Sequence, residues 1–296
     1  MAVVTNTTTT AQMTDVQIRE LDFVTRFNAD WQALTDILGI MNPIRKTPRT
    51  KLVSNRASIV LQPGEVAEGD EVALSQATVE PVAYKDLTIK KYRKRVTIEA
   101  VEKYGAAVAV RKTDEALMNE LKSETLDEFY SFALTGTLTG RETSFQMAVS
   151  MAIAKAKDKF KKLRLNYGQV VVFANTLDVG RYLGGVNVSV QTLNGVEYLK
   201  NVLGADTIIV TSEIPEGKVV ATPADNIVLY YIDPSDSDFR ELGLEYTTGN
   251  DEANLIGIHH EGVYGRASGD THAIMGMALW AEYIDGIAVI SIGVEK

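Results

Sequence analysis

The residues best suited to chemistry in this 296-residue chain are its three histidines, His259, His260 and His272, and the acids beside them. Imidazole ligates transition metals and moves protons near neutral pH. His259 and His260 are adjacent, and neighbouring side chains of a strand point to opposite faces, so the two cannot readily chelate one ion. Glu261 beside His260, and Asp270 near His272, have the composition of acid/base pairs but come with no nucleophile and no sign of a cleft. The turn from Asp233 through Asp236 to Asp238 gathers acids as an oxygen-ligand cation loop would. It lacks the glycine and the distal glutamate of a calcium hand, and Asx-turn bonding at the surface is its expected role.

Other motifs are missing. There is no phosphate-binding glycine loop, no H-E-x-x-H pair, no G-x-S-x-G elbow and no cysteine, which removes disulfides, thiolate zinc sites and cysteine nucleophiles. The sequence therefore predicts no catalytic residue, no cofactor and no metal. Its N-terminus is small and Thr-rich, without the basic and apolar regions of a secretion signal, and no run approaches the roughly 20 apolar residues of a membrane span. The expected location is the cytoplasm of the producing cell, or a particle assembled there.

Charge is the stronger signal. The chain carries 30 basic and 39 acidic residues, a formal charge of -9 that argues against coating duplex DNA with its whole surface. Up to Leu165 the balance is +3, and from Asn166 onward it is -12. Within the first part a basic block, Arg45, Lys46, Arg49, Lys51 and Arg56, precedes an acidic one, Glu65, Glu68, Asp70, Glu71 and Glu80. A second basic block runs from Lys85 to Lys103 and includes Lys90, Arg93 and Arg95. Such blocks usually keep a surface wet. Three alternating blocks close in sequence suit contacts between copies of one chain, because complementary potentials fix register between subunits.

The elements that position these residues follow from periodicity. Phe23, Val24, Phe27, Trp31, Leu34, Ile37 and Leu38 make a helical stripe over Leu21–Ile40. Pro43 and Pro48 then predict an extended arm. Residues Ser54 to Ile98 read as a long two-stranded excursion whose return strand, Leu87–Ile98, is too polar to bury itself. Thr113–Thr135 is the clearest helix, with a Thr-Asp-Glu start, and Thr143–Leu163 is a second one. Beyond Gly168, strands at 169–174, 207–211, 218–222 and 226–232 mix with short helices at 175–183 and 196–203, and strands at 241–247, 256–264, 273–280 and 287–292 finish the chain. The class is α+β.

From Phe23 to Ile292 this order of arm, extended hairpin, long helix and mixed strands resembles the major capsid proteins of tailed bacteriophages, whose Hong Kong 97-type shell fold is shared with encapsulins. The resemblance implies an N-terminal arm (1–56), an extended loop (57–95), a peripheral domain (96–165 and 238–282) holding a spine helix at 113–135, and an axial domain (166–237 and 283–296). It implies a structural protein rather than an enzyme, assembling as pentamers and hexamers of an icosahedral shell around a double-stranded DNA genome within the virion. Expected partners are other copies of the chain, a separate scaffolding protein if any, a portal, and DNA held weakly and without specificity. Some members weld the shell through a loop lysine. No lysine lies between Ala57 and Tyr84, so a non-covalent shell is expected. About 20 residues precede Phe23, too few for a cleaved scaffolding segment. The expected inter-subunit contacts join Glu65, Glu68, Asp70 and Glu71 at the loop tip to Arg45, Lys46, Arg49, Lys51 and Arg56, or to Lys90, Arg93 and Arg95. An encapsulin-like compartment and a metal-dependent enzyme are the alternatives.

Overall fold

A computed structural model describes residues 15–62, 64–65, 71–186, 189–193, 195–249 and 253–293. In chain order the elements are α1 (Asp15–Leu38), β1 (Ile44–Arg45), β2 (Lys51–Val60), β3 (Gln76–Asp86), β4 (Lys90–Thr97), α2 (Ile98–Tyr104), α3 (Thr113–Ala133), β5 (Leu138–Glu142), α4 (Phe145–Lys162), β6 (Val170–Asn175) and α5 (Thr176–Leu183). They continue with β7 (Gln191–Leu193), β8 (Val196–Val202), β9 (Ala205–Thr211), β10 (Lys218–Pro223), β11 (Ile227–Ile232), α6 (Ser237–Glu241), β12 (Ile256–Val263), β13 (Ser268–Ala281) and β14 (Ala288–Ile292). No helix among the described residues is long and apolar enough to cross a membrane.

Two compact units share these elements. The larger holds the described residues within 31–88, 122–231 and 277–293. It is built on a seven-stranded mixed sheet in the order β5-β14-β10-β6-β9-β8-β7. All six residues of β6 are buried, as a central strand covered on both faces requires. Val170, Val172 and Ala174 join Ala148, Val149, Ala152 and Ala156 of α4 in one apolar cluster. Phe173 instead meets Phe129 and Tyr130 of α3, with ring centroids 5.5 and 5.6 Å away. Ser144 caps α4 by accepting from the Met147 amide, and Asn175 caps α5 by accepting from that of Leu177. β5 and α4 thus belong with the seven-stranded sheet, although their place in the chain grouped them with the expected peripheral segment. Gly136 follows α3 where a Cβ would lie 2.7 Å from the Ile287 carbonyl oxygen, so no larger residue fits that approach.

Of the described residues, the smaller unit comprises 15–30 with 89–121 and 232–276. Here β13 pairs antiparallel with β12 on one side and β4 on the other. Gly257 lets β12 run close to Pro234 and Tyr246, whose Cβ atoms lie 2.8 Å from where its own would be.

Three expectations need correction. Residues 196–203, expected as a helix, instead hold strand β8 over Val196–Val202, where only Leu199 is buried and the segment pairs along β9. Residues 241–247 are not a strand: α6 ends at Glu241, and only Thr247 makes a bridge, with Ile258. The return strand of the hairpin ends at Asp86. Leu87 is buried and bonds through its backbone to Thr50 and Arg49, and β4 beyond it pairs with β13 instead of extending the hairpin.

Candidate assembly surfaces and a titratable sheet face

β2 and β3 form a two-stranded sheet of their own. Ten residues of β2 at about 3.3 Å each make it about 33 Å long. Its base is fastened within the larger unit: Leu52 is buried, the Ser54 hydroxyl donates to the Ala281 carbonyl, and Lys85 Nζ lies 2.6 Å from Glu128 Oε2. A register shift at Ser54/Asn55 adds twist there. Toward the tip the apolar residues face solvent, with Val60 62%, Leu61 60%, Val72 58% and Leu74 94% exposed. Glu65 and Glu71 are exposed beside them, while Glu68 and Asp70 lie outside the described residues.

The basic block leads into this hairpin. Arg45 sits in β1, which runs parallel to β11 with Arg45 opposite Tyr231, so the predicted arm is anchored to its own chain at this point. Lys46 lies 5.4 Å from the centre of the Tyr230 ring. Arg49 is exposed in a left-handed turn at φ 63°, Lys51 is exposed at the start of β2, and Arg56 lies opposite Glu80 in the β2–β3 register. Lys90, Arg93 and Arg95 are not on the hairpin but in β4.

In the smaller unit, the β4–β13–β12 register sets Arg95, Asp270 and Glu261 in one row and Arg93, His272 and His259 in the next. Odd-numbered β4 and β12 residues and even-numbered β13 residues therefore share a face. Arg95 Nε and Nη2 each donate to Asp270 at 2.7 Å. Arg93 Nε donates to Oδ2 at 2.7 Å, with its Nη2 on the same oxygen. These hydrogen bonds hold the Asp270 carboxyl well below the usual carboxylate range, against the opposing effect of desolvation. His272 Nε2 lies 3.0 Å from Glu261 Oε1, and the His259 and His272 rings are 6.5 Å apart. Ligand atoms of Glu261, Asp270 and His272 all lie within 4.8 Å of one another.

The opposite face borders a cavity of about 300 Å³ lined by Val16, Val96, Val101, Val110, Arg19 and His260, among others. Asp114 accepts from Arg19 at 2.8 Å through both oxygens and also from Lys94. Burial, reinforced by the Arg19 charge, lowers His260 to about 4 and keeps its imidazole neutral. The Glu20 carboxylate accepts from the His260 amide and the Thr247 hydroxyl. The acidic turn is local structure: Asp233 accepts from Ser235, and Asp236 caps α6 through the Ser237 amide.

No family profile and no curated protein matches the sequence. Solved structures do. The mature capsid of bacteriophage PhiM1 matches at 7% identity and a TM-score of 0.54, over 86% of this chain and 86% of that one. The capsid of Cyanophage A-1(L) matches at 14% identity and a TM-score of 0.53, over 89% and 92%. The SrpI encapsulin of Synechococcus elongatus matches at 11% identity and a TM-score of 0.51, over 96% and 98%. The chain has the Hong Kong 97-type shell fold.

That shell fold, and its α+β class, are as the order of elements implied. What sequence reasoning missed is the cross-strand relation of the histidines. His260 points away from His259, as expected, but His259 faces His272, and Glu261 meets His272 rather than working with His260. The signal lay in the hairpin: His259 and His272 are equally distant from the turn at Tyr264–Arg266 and Ala267.

Proposed function

We propose that this protein is the major structural subunit of a tailed-phage head, assembling as pentamers and hexamers into an icosahedral shell around double-stranded DNA. The observation that carries this reading is the β2–β3 hairpin, fastened at its base and apolar at its solvent-facing tip. A long hairpin with one apolar end is marginal in water until another surface covers it. In a closed symmetric shell every copy finds the same cover, and contacts that do not close in a pair close around a ring. Obligate interfaces of that kind bury about 2,000 Å² or more.

In this reading α3 is the spine helix of the peripheral domain, the seven-stranded sheet belongs to the axial domain, and β2–β3 is the extended loop. The tip acids Glu65, Glu68, Asp70 and Glu71 meet basic residues of a neighbouring copy. Arg45, Lys46, Arg49, Lys51 and Arg56 form the first partner set; Lys90, Arg93 and Arg95 form the second, though Arg93 and Arg95 already hold Asp270 of their own chain. A net charge of -9 suits weak, non-specific contact with the genome. A portal and a separate scaffolding protein complete the assembly, which takes place in the host cytoplasm. The chain acts without catalysis.

An encapsulin-like compartment is the second reading, supported by the likeness to SrpI over nearly the whole of both chains. Electron microscopy of nuclease-treated particles separates the two. Closed shells holding protected DNA support the phage head, and closed shells holding a protein cargo without DNA support the compartment. A compact monomer that forms no shells overturns both. On a denaturing gel the particles should give one band at the subunit mass, as a non-covalent shell requires.

A further inference from the structure

We propose that the exposed face of the β12–β13 hairpin binds one borderline divalent transition metal, with His272, Glu261 and His259 as its ligands. The inference is independent of the shell reading. His259 and His272 are directly opposite across the antiparallel pair, and Glu261 follows His259 on the same face. Opposite side chains of such a pair start about 5 Å apart at Cβ, close enough for both to reach one ion.

The distances agree with this. His272 Nε2 and Glu261 Oε1 are 3.0 Å apart, near the separation of about 3.3 Å between two ligand atoms each about 2.0 Å from a tetrahedral zinc ion. The metal would take the place of the hydrogen bond between them. The His259 and His272 ring centroids are 6.5 Å apart, so His259 must turn about its side-chain bonds to complete the set, with water in the fourth position. Asp270 is within the same 4.8 Å group but is already occupied by Arg93 and Arg95, so it supports the site without ligating.

Charge does not oppose entry of the ion. The two guanidinium groups of Arg93 and Arg95 are matched by the carboxylates of Asp270 and Glu261. The ligands are also reachable, since Glu261 and His259 are exposed and the His272 side chain is 30% exposed. Two nitrogens and one carboxylate oxygen favour zinc, nickel or copper over magnesium and calcium, which require oxygen ligands.

The test is calorimetric titration of tag-free protein, in the assembly state it adopts, with Zn²⁺ alone and with Mg²⁺ alone at about pH 7.5. One saturable Zn²⁺ per chain is expected, weakened about tenfold or more in His272→Ala and in Glu261→Gln, with little response to Mg²⁺. His272→Gln serves as a second variant should His272→Ala disturb the strand, and circular dichroism verifies the fold of each. No saturable Zn²⁺ binding, undiminished binding in folded His272 variants, or equal binding of Mg²⁺ would overturn the assignment.

Discussion

The ring of Phe132, near the end of α3, stacks on the indole of Trp280 in β13 with centroids 3.9 Å apart and planes 16° from parallel. Trp280 is buried and Phe132 is half-buried, so the stack combines area removed from water with favourable ring geometry. Phe132→Ala should destabilise the unassembled subunit by about 2–3 kcal/mol, and Phe132→Leu by about half as much. Denaturant unfolding of both variants measures this, and a loss below about 0.5 kcal/mol for the alanine variant would show that the stack contributes little.

Leu61 and Leu74 are exposed at the tip of the β2–β3 hairpin. Replacing both by serine removes apolar surface that the subunit's own core does not use. Shell formation should fail or become far slower, while the melting temperature of the free subunit moves by no more than about 2 °C. Wild-type shell yields in the double variant, counted by electron microscopy, would mean that the tip is not an interface.

Charge reversal addresses the acidic tip. Asp70→Lys combined with Glu71→Lys should impair assembly, and Arg49→Glu with Lys51→Glu in the same chain should restore it. Each exposed pair is worth only about 0.2–1 kcal/mol, but a shell repeats the contact in every copy. The defect should also shrink as salt is raised. Normal assembly of the tip variant alone would remove these acids from the interface.

Alkaline stability depends on Tyr230. Burial, with the Glu282 carboxylate 3.4 Å from its hydroxyl, pushes this phenol up to about 12. In the unfolded chain a tyrosine ionises near pH 10, so from about pH 10 to 12 the unfolded state releases a proton that the folded state retains. The Tyr230 contribution is therefore fully present below pH 10 and fades above it. Thermal melts between about pH 9 and 12 should show a steeper decline for the wild type than for Tyr230→Phe. Identical slopes would place the alkaline transition elsewhere, with buried Tyr130, also raised, as the next candidate.

Much of the fold was legible where the deciding residues are local. The helices expected over Thr113–Thr135 and Thr143–Leu163 are α3 and α4, but Thr113 does not cap the first of them: a π-helical stretch over Ala107–Lys112 leads into α3, and the Thr113 hydroxyl donates back to the Ala109 and Val110 carbonyls. Strand β8 was misread because it exposes most of its residues, so the burial that fixes its conformation comes from pairing with β9 rather than from its own pattern. The polar look of β4 misled for a related reason. Its arginines are matched by Asp270, more than 170 residues away, and its Lys94 by Asp114 on α3, neither of which local periodicity can reveal. The histidine face required knowing the register of a hairpin, which a single turn assignment would have supplied.

The position of β14 within its sheet sets an order on how the molecule is made. It lies between β5 and β10, with Ala288 opposite Leu138 and Lys218 opposite Ser291. β5 and β10 both leave the ribosome before β14, so between the emergence of Pro223 and that of Ala288 the nascent chain carries an open slot in its largest sheet. Pairing across so wide a sequence gap is slow to nucleate, so the filling of that slot is a late step in folding.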